Sequence, residues 1–242
     1  MSKSIKPYKD SEAGKKEQVT EMFDNISGNY DVMNRIITFG MDKGWRRKVK
    51  QLMTEEGIEI VLDVATGTGD MVFMYAESDI DQIIGLDISN GMLDIARKRS
   101  SKYKLSDRVQ FQNGDAEKLP FEEASFDAVS VSYGIRNFED LELGLGEILR
   151  VLKPGGRLVV LETSVPKSAL MRFGYGLHTK LFIPLVGRLF SKDKNAYSYL
   201  SNSAHVFPYG EELKAIMLKV GYQSVEIMPQ AGGISTIYKA LK

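Results

Sequence analysis

The amino-acid sequence predicts an α/β fold of the doubly wound type, in which a mostly parallel seven-stranded sheet carries helices on both faces. The first observation is the stretch 60–70, where a short, mostly β-branched apolar run precedes Gly67, Gly69 and a helix-like segment. A strand, a tight glycine turn and a helix form the first unit of such a fold. Strand-like and helix-like segments then alternate along the chain. The length of 242 residues suffices for one large domain with a sizeable core.

Charge and composition exclude several classes of protein. Lys plus Arg and Asp plus Glu both total 32, so the net charge is +0, which argues against broad nucleic-acid binding. With no cysteine and only His178 and His205, we expect no disulfide and no metal site. The N-terminus lacks an apolar signal segment, and no apolar run reaches the ~18 residues of a membrane span. We therefore expect a cytoplasmic location.

The first 55 residues divide into a tail and a helical segment. Residues 1–18 are polar and lysine-rich, which predicts a flexible tail. Residues 19–55 have apolar side chains at three-to-four spacing, interrupted by Gly28 and Gly40, which predicts two or three short helices. Because they precede the first strand, we expect them to pack over the sheet as a lid.

The remaining elements follow in regular order, and we interpret 19–242 as a single domain with an insertion at 165–205. Strands are predicted at 60–64, 82–87, 108–112, 125–132, 157–161, 224–228 and 234–241. Helices are predicted at 70–78, at 91–99 with Ser89 or Asn90 as the cap, at 141–152 and at 211–220.

The glycine turn does not fit the two best-known nucleotide motifs. A dinucleotide fingerprint requires a third Gly or Ala at the position held by Val72. A P-loop requires Gly-Lys-Ser/Thr, which is missing here. An acidic residue within the first strand, Asp63, and a shortened Gly-x-Gly turn instead look like the first motif of class I S-adenosylmethionine methyltransferases.

Polar residues follow each predicted strand, at the edge where open α/β sheets bind their ligands. Asp87 ends the second strand, where its carboxylate could accept protons from both ribose hydroxyls or simply cap the next helix. Asp115 and Ala116 follow the third strand, placed to bind an adenine amino group and pack against its ring. Ser132, Arg136 and Asn137 follow the fourth. Matched chemistry at several strand ends is stronger evidence than one motif.

Two further stretches narrow the resemblance. Residues 30–34 (YDVMN) with Trp45 and Arg46 resemble the N-terminal signature of the quinone C-methyltransferases of menaquinone and ubiquinone biosynthesis. Residues 150–156 (RVLKPGG) resemble their second signature, and residues 134–137 (GIRN) are also typical of them. The similarity extends from Val19 to the C-terminus.

The first signature departs from the family pattern at two positions. Thr38 stands where the family usually has Ser, which is a conservative change. Asp42 stands where the family usually has His, which puts any role of that histidine in doubt.

The resemblance implies a Rossmann-like class I methyltransferase that uses S-adenosylmethionine. Thr68 and Asp87 would contact its amino-acid and ribose parts, Asp115 and Ala116 its adenine, and Ser132 its methionyl region. The full set of predicted cofactor-binding residues is Gly67, Thr68, Gly69, Asp87, Ile88, Asp115, Ala116 and Ser132.

The acceptor implied by the resemblance is a polyprenyl hydroquinone, whose ring carbon becomes more nucleophilic as a neighbouring hydroxyl loses its proton. We hypothesise that Arg136 and Asn137 hold that oxygen and that Tyr30 of the lid completes the pocket. A structural ion pair is the alternative for Arg136. We assign structural or surface roles to His178 and His205.

Demethylmenaquinol is the favoured acceptor, with the methoxy-polyprenyl-benzoquinol of the ubiquinone pathway second. Another small-molecule methyltransferase remains an alternative. The missing third glycine argues against a nicotinamide-dependent oxidoreductase. The filled polar positions at the strand ends give no support to a catalytically silent binding module. A homodimer is an open expectation.

The segment 169–190 is apolar but carries Arg172, Lys180 and Arg188, and Pro184 interrupts it. It is too charged to span a bilayer. It could form a wall of the substrate pocket, make peripheral contact with the inner face of the membrane, or simply pack against the domain, and the sequence does not choose among these.

Overall fold

In a computed structural model of the protein, the structure describes residues 5–8, 10–105, 107–183, 185–186 and 193–242. The predicted Pro184 interruption and Arg188 lie outside the described residues.

Within the described residues, seven strands form one sheet. The strands are β1 (Ile60–Val64), β2 (Gln82–Asp87), β3 (Val109–Asn113), β4 (Phe126–Ser132), β5 (Leu152–Thr163), β6 (Ser224–Gln230) and β7 (Ser235–Leu241). Their order across the sheet is β3-β2-β1-β4-β5-β7-β6. β7 is antiparallel to both of its neighbours, whereas the pairs among β1 to β5 are parallel. The predicted mostly parallel, seven-stranded sheet is confirmed.

Helices cover both faces of this sheet. They are α1 (Lys15–Ile26), α2 (Tyr30–Ile37), α3 (Asp42–Met53), α4 (Asp70–Tyr75), α5 (Asn90–Tyr103), α6 (Leu141–Val151), α7 (Ala169–Leu177), α8 (Lys194–Val206) and α9 (Glu211–Val220). α6 and α9 pack on the face that carries Leu62, and α3 and α4 pack on the face that carries Val61. Neighbouring residues of a strand point to opposite faces, which explains the two separate cores.

The N-terminal helix begins earlier than the sequence indicated. α1 starts at Lys15, inside the predicted flexible tail, and Lys15 and Gln18 are buried. The Lys15 ammonium donates to the carbonyls of Arg136 and Phe138, and the Gln18 side chain accepts from the Tyr8 N–H at 2.9 Å. Specific polar partners of this kind, which sequence periodicity does not detect, hold the segment against the domain.

The lysine-proline-glycine-glycine stretch lies within a strand. β5 starts at Leu152, which pairs with Phe126, although the sequence predicted a helical position there and a strand only from residue 157. The register shifts between Phe126 and Ala128, and this bulge accommodates the glycines at the start of the strand. Strand pairing therefore overrides the local turn signal.

The insertion packs against the N-terminal helices. α7 leads into a π-helical turn at His178–Phe182, and α8 follows it. Met22 and Met33 of the N-terminal helices share a core with Ile183 and Tyr197 of the insertion. No helix among the residues that the structure describes is long and apolar enough to cross a membrane.

Candidate active site

A cavity opens at the carboxyl ends of the central strands, and we call it the strand-end cavity. Its empty space, counted together with the adjoining open solvent, is about 700 Å³. Lys16, Val19 and Phe23 of α1 cover it. Most predicted site residues line it, namely Tyr30, Gly67, Asp87, Ile88, Asp115, Ala116, Ser132 and Asn137.

Asp87 occupies the centre of the polar side of this cavity. Its carboxylate oxygens accept the N–H groups of Gly67 at 2.7 Å and of Ser89 at 2.9 Å. Burial raises the pKa of Asp87 to about 6, although these hydrogen bonds act in the opposite direction. The helix cap is supplied by Ser89, whose hydroxyl accepts the N–H of Met92. Asp87 is thus not needed as the side-chain cap of α5.

The glycine turn and Ser132 leave this side open to a ligand. Gly67 has a φ of +58°, which disfavours a side chain, and an added Cβ would meet nothing within 4 Å. The hydroxyl oxygen of Ser132 is buried and has no hydrogen-bond partner among the described residues. A buried polar atom of this kind indicates a missing partner. A carboxylate, an open glycine turn and a free hydroxyl together fit the polar groups of S-adenosylmethionine.

Asp115 is placed at the cavity but already has partners. Its Oδ2 lies 2.6 Å from the Lys16 ammonium, and its Oδ1 accepts the N–H of Glu117 at 2.9 Å. Lys16 also pairs with the Glu117 carboxylate at 3.2 Å. α1 is therefore tied to the end of the cavity where an adenine ring was predicted to bind.

Thr68 and Gly69 do not line the strand-end cavity. The Thr68 hydroxyl donates to Asp31 of α2 at 2.7 Å, and its carbonyl accepts from Arg99 at 3.0 Å. Gly69 packs against the ring of Phe111, and a Cβ added at Gly69 would lie only 3.0 Å from that ring. These residues join the turn to the lid and the core. The predicted cofactor contact of Thr68 stays a prediction.

A second cavity lies beneath the lid helices and the insertion, and we call it the lid cavity. Its empty space, counted together with the adjoining open solvent, is about 1200 Å³, and it is largely apolar, with Trp45 and Ile183 in its wall. Tyr30 and Tyr133 line both cavities, so their side chains stand at the boundary between them. Two compartments, both lined mainly by apolar surface, therefore meet at two aromatic residues.

Backbone strain is concentrated at this boundary. Ala65 and Tyr133 have φ values of +55° and +60°, in the left-handed region that residues with side chains seldom adopt. An added Cβ at Gly134 would lie 2.4 Å from the Cβ of Ala65, so only glycine fits there. Strain of this kind is typical of functional sites, where the surrounding fold holds an unfavourable conformation.

Arg136 lines the lid cavity and forms a buried ion pair. Its guanidinium donates to Glu162 at 2.6 Å and to the carbonyl of Tyr133 at 2.9 Å. Glu162 raises the pKa of this arginine, against the effect of burial. The structure therefore contains the ion pair that was the alternative role for Arg136. Its Nε atom, also buried, lacks a hydrogen-bond partner in the described part of the chain.

Asn137 and Arg136 face different compartments. Asn137 lines the strand-end cavity, and its carbonyl oxygen accepts from the Tyr199 hydroxyl at 3.1 Å. The structure therefore does not bring the two predicted oxygen-binding residues to the same cavity. Tyr30, the third predicted residue, does reach the acceptor side, and burial raises the pKa of its hydroxyl.

Three polar or titratable residues of the lid cavity were not predicted from the sequence to take part in catalysis. They are Arg46, Tyr133 and His178. Nε2 of His178 is buried without a hydrogen-bond partner in the described ranges, and burial lowers the pKa of this histidine. His205 does not reach either cavity and packs against the ring of Tyr175. The π-helical turn that begins at His178 is a local feature often found at functional sites, but residue spacing does not reveal it.

The sheet order, with an antiparallel β7 beside β5 and a cavity at the strand ends, is that of the class I S-adenosylmethionine-dependent methyltransferase fold. A solved structure of an S-adenosylmethionine-dependent methyltransferase from Aquifex aeolicus superposes with a TM-score of 0.58 at 17% identity, covering 81% of this chain and 88% of that one.

Residues 11–242 match the model of the ubiE/COQ5 methyltransferase family, and the chain belongs to this family. Demethylmenaquinone methyltransferase of Bacteroides fragilis is 43% identical, over 98% of this chain and 97% of that protein. The ubiquinone/menaquinone biosynthesis C-methyltransferase UbiE of Geobacter sulfurreducens is 40% identical, over 99% of this chain and 93% of that protein.

Proposed function

We propose that this protein transfers the methyl group of S-adenosylmethionine to a ring carbon of a polyprenyl hydroquinone, with demethylmenaquinol as its main acceptor. The observation that carries this proposal is the pair of adjoining cavities. One presents the carboxylates of Asp87 and Asp115 at the strand ends and the other is largely apolar, and among the described residues Tyr30 and Tyr133 line both. The names of the relatives from Bacteroides fragilis and Geobacter sulfurreducens support a quinone acceptor.

The strand-end cavity would hold the cofactor, which supplies an electrophilic methyl group when bound. Asp87 would accept the ribose hydroxyl protons, and Ser132 would provide the free hydroxyl beside the methionyl part. Lys16 would keep α1 closed over Asp115 and so exclude water from the site. Each contact uses a group that already faces the cavity.

The lid cavity would hold the hydroquinone ring, with the prenyl tail along its apolar wall. Tyr30 and Tyr133 would place a ring carbon at the boundary, and this orientation supplies a large part of the rate. The Nε donor of Arg136 would bind one ring oxygen. The reaction would form one carbon–carbon bond, break the sulfonium–methyl bond and release S-adenosylhomocysteine. It would also release one proton net, derived from the ring carbon that receives the methyl group.

The ubiquinone-pathway benzoquinol is the second candidate acceptor, because the name of the Geobacter relative covers both quinones. The two rings differ in size, since one is a fused naphthalene system and the other a single ring with a methoxy group. We expect reduced demethylmenaquinone to give the higher kcat/KM when both are assayed side by side with labelled cofactor. Equal or better turnover of the methoxy-benzoquinol would reverse the assignment.

We further infer that the insertion contacts the surface of the membrane that contains the acceptor. Leu170, Phe173, Leu181 and Leu185 form an exposed apolar stripe at helical spacing, with exposed fractions from 56% to 81%. The same segment lines the lid cavity through Tyr175 and Thr179. Its outer face would thus enter the lipid interface while its inner face admits the polyprenyl chain.

Replacing both Phe173 and Leu181 with aspartate should abolish co-flotation with vesicles of phosphatidylethanolamine and phosphatidylglycerol, because two charges would enter the apolar stripe. Turnover of a short-chain, water-soluble acceptor should stay within about twofold of the unmodified protein, since neither residue lines a cavity.

The matched control is aspartate at Leu143 and Leu218, which are exposed apolar residues on other helices. This control should float like the unmodified protein. Unchanged flotation of the Phe173 and Leu181 variant would overturn the membrane proposal. A concentration-dependent dimer, lost in that variant, would instead assign the stripe to a second copy of the chain.

A further inference from the structure

Among the described residues, Arg46 and Arg136 line the lid cavity, and their charges are paired differently. Arg136 donates to the Glu162 carboxylate at 2.6 Å. In the described part of the chain Arg46 forms one ion pair, in which its Nε lies 3.6 Å from Oδ2 of Asp42. This Nε atom is buried and has no hydrogen-bond partner among the residues that the structure describes. Arg46 therefore carries an unmet donor and an incompletely balanced charge.

Arg46 lies at the boundary where methyl transfer would occur. Its guanidinium carbon is 5.7 Å from the ring centroid of Tyr133, one of the two residues that line both cavities. The guanidinium is thus close to the place where an acceptor ring must meet the methyl donor. Arg136, in contrast, lines the lid cavity but not the strand-end cavity.

Asp42 orients this cation but does not neutralise it fully, because its carboxylate has a second partner. Its Oδ1 accepts the Thr38 hydroxyl at 2.8 Å, and its Oδ2 faces Arg46. Thr38, Asp42 and Arg46 are four residues apart, and these two contacts link them in that order. The series includes both positions at which the sequence departs from the family's usual residues.

The other titratable groups around Arg46 do not supply the missing negative charge. Burial raises the pKa of the Tyr30 and Tyr133 hydroxyls, so both are neutral near pH 7. The carboxylates of Asp70, Asp31 and Asp63 also act on Arg46, but each has another partner. Asp70 and Asp31 pair with Arg99 at 2.9 and 3.4 Å, and Asp63 accepts the Ser130 hydroxyl at 2.5 Å. An under-neutralised buried cation is costly unless a ligand supplies an anion.

We propose that Arg46 binds the ionised ring oxygen of the acceptor next to the reacting carbon, and that Asp42 is its positioning residue. The inference rests on the proposed function, because it requires a phenolic acceptor in the lid cavity. Arg136 then binds a ring oxygen as a hydrogen-bond donor, while Arg46 supplies the charge that stabilises the developing phenolate. The proton of this hydroxyl leaves to solvent before the carbon–carbon bond forms, and the sulfonium–methyl bond breaks as that bond forms. The methylated ring carbon then loses its own proton and the oxygen regains one, so one proton is released net.

Binding of 1-naphthol tests the role of Arg46 independently of turnover, because its absorption shifts to longer wavelength on ionisation. With the unmodified protein and S-adenosylhomocysteine, the ionisation constant of the bound naphthol should exceed that of free naphthol about tenfold or more. Arg46→Met should lose this increase and lower kcat about 10²-fold. Arg46→Lys, which keeps the charge but loses the forked donor, should keep part of the increase.

Arg47→Met is the matched control, because Arg47 is the exposed neighbour on the same helix. It should leave naphthol ionisation and turnover unchanged, and circular dichroism should show that all variants are folded. Should Arg46→Met and Arg46→Lys both retain the full increase, the role of Arg46 would be refuted. If the unmodified protein neither ionises naphthol nor methylates a hydroquinone, the proposed function itself fails.

Discussion

Arg136→Met is expected to destabilise the protein by about 3–5 kcal/mol and to abolish methyl transfer. The reason for the loss of stability is that Glu162, which is 1% exposed, would remain buried without its cationic partner. Urea unfolding of the unmodified and variant proteins measures this change. Turnover of reduced demethylmenaquinone measures the loss of methyl transfer.

A double variant separates the structural role of Arg136 from a role at the acceptor. Arg136→Met combined with Glu162→Met removes both buried charges and should recover most of the lost stability. We expect its kcat/KM to stay at least about tenfold below that of the unmodified protein, because a donor to the ring oxygen is lost. Full recovery of turnover would reduce Arg136 to a structural ion pair.

Asp87→Ala is expected to raise the Kd for S-adenosylmethionine about ten- to hundredfold. The change removes charge-assisted hydrogen bonds, each typically worth about 1.5–3 kcal/mol, and leaves the N–H groups of Gly67 and Ser89 without their acceptor. Titration calorimetry measures the affinity. Asp79→Ala, at an exposed carboxylate, is the control and should bind the cofactor normally.

Cofactor affinity should also depend on pH through Asp87. Because burial raises the pKa of this carboxyl to about 6, its ionised form in the free protein is lost as the pH falls through 6. The Kd should therefore rise below pH 6 and be constant above pH 7, and Asp87→Asn should bind weakly without this dependence. The raised pKa affects the folding stability of the free protein in the opposite direction. The folded state binds the Asp87 proton more tightly than the unfolded state, so this contribution to the free energy of unfolding is lost as the pH rises from about 4 to 6. A Kd independent of pH between 5 and 7.5 would assign ribose binding to other groups.

The sequence was most informative where local chemistry and tertiary structure agree. The β-branched run at 60–64, the glycine turn and the acid at Asp87 belong to one strand–turn–helix unit, and the structure places all three as expected. The carboxyl ends of parallel strands must meet at one edge, so Asp115 and Ser132 could be assigned to the same cavity without coordinates.

Features that depend on distant partners could not be predicted in this way. The start of α1 depends on carbonyl groups of the loop at residues 136–138, more than a hundred residues away in the chain. The start of β5 depends on pairing with Phe126. In each case a long-range contact overrides the local pattern.

The roles of the two arginines illustrate the same limit within the site. The GIRN motif predicts a role for Arg136, but nothing in the sequence shows that Glu162 pairs with the Arg136 guanidinium. Arg46 belongs to the N-terminal signature of the family, and the sequence assigns it no chemical role. Its unmet donor and its position beside Tyr133 become visible only when the lid is folded over the sheet.

The central claim is that a methyl group passes from the strand-end cavity to a ring carbon held in the lid cavity. The most direct measurement is carbon-13 NMR of the product formed from methyl-labelled S-adenosylmethionine and reduced demethylmenaquinone. We predict a single labelled resonance in the region of aryl-bound methyl groups. A resonance in the methoxy region, or no labelled product although the cofactor binds, would contradict the account.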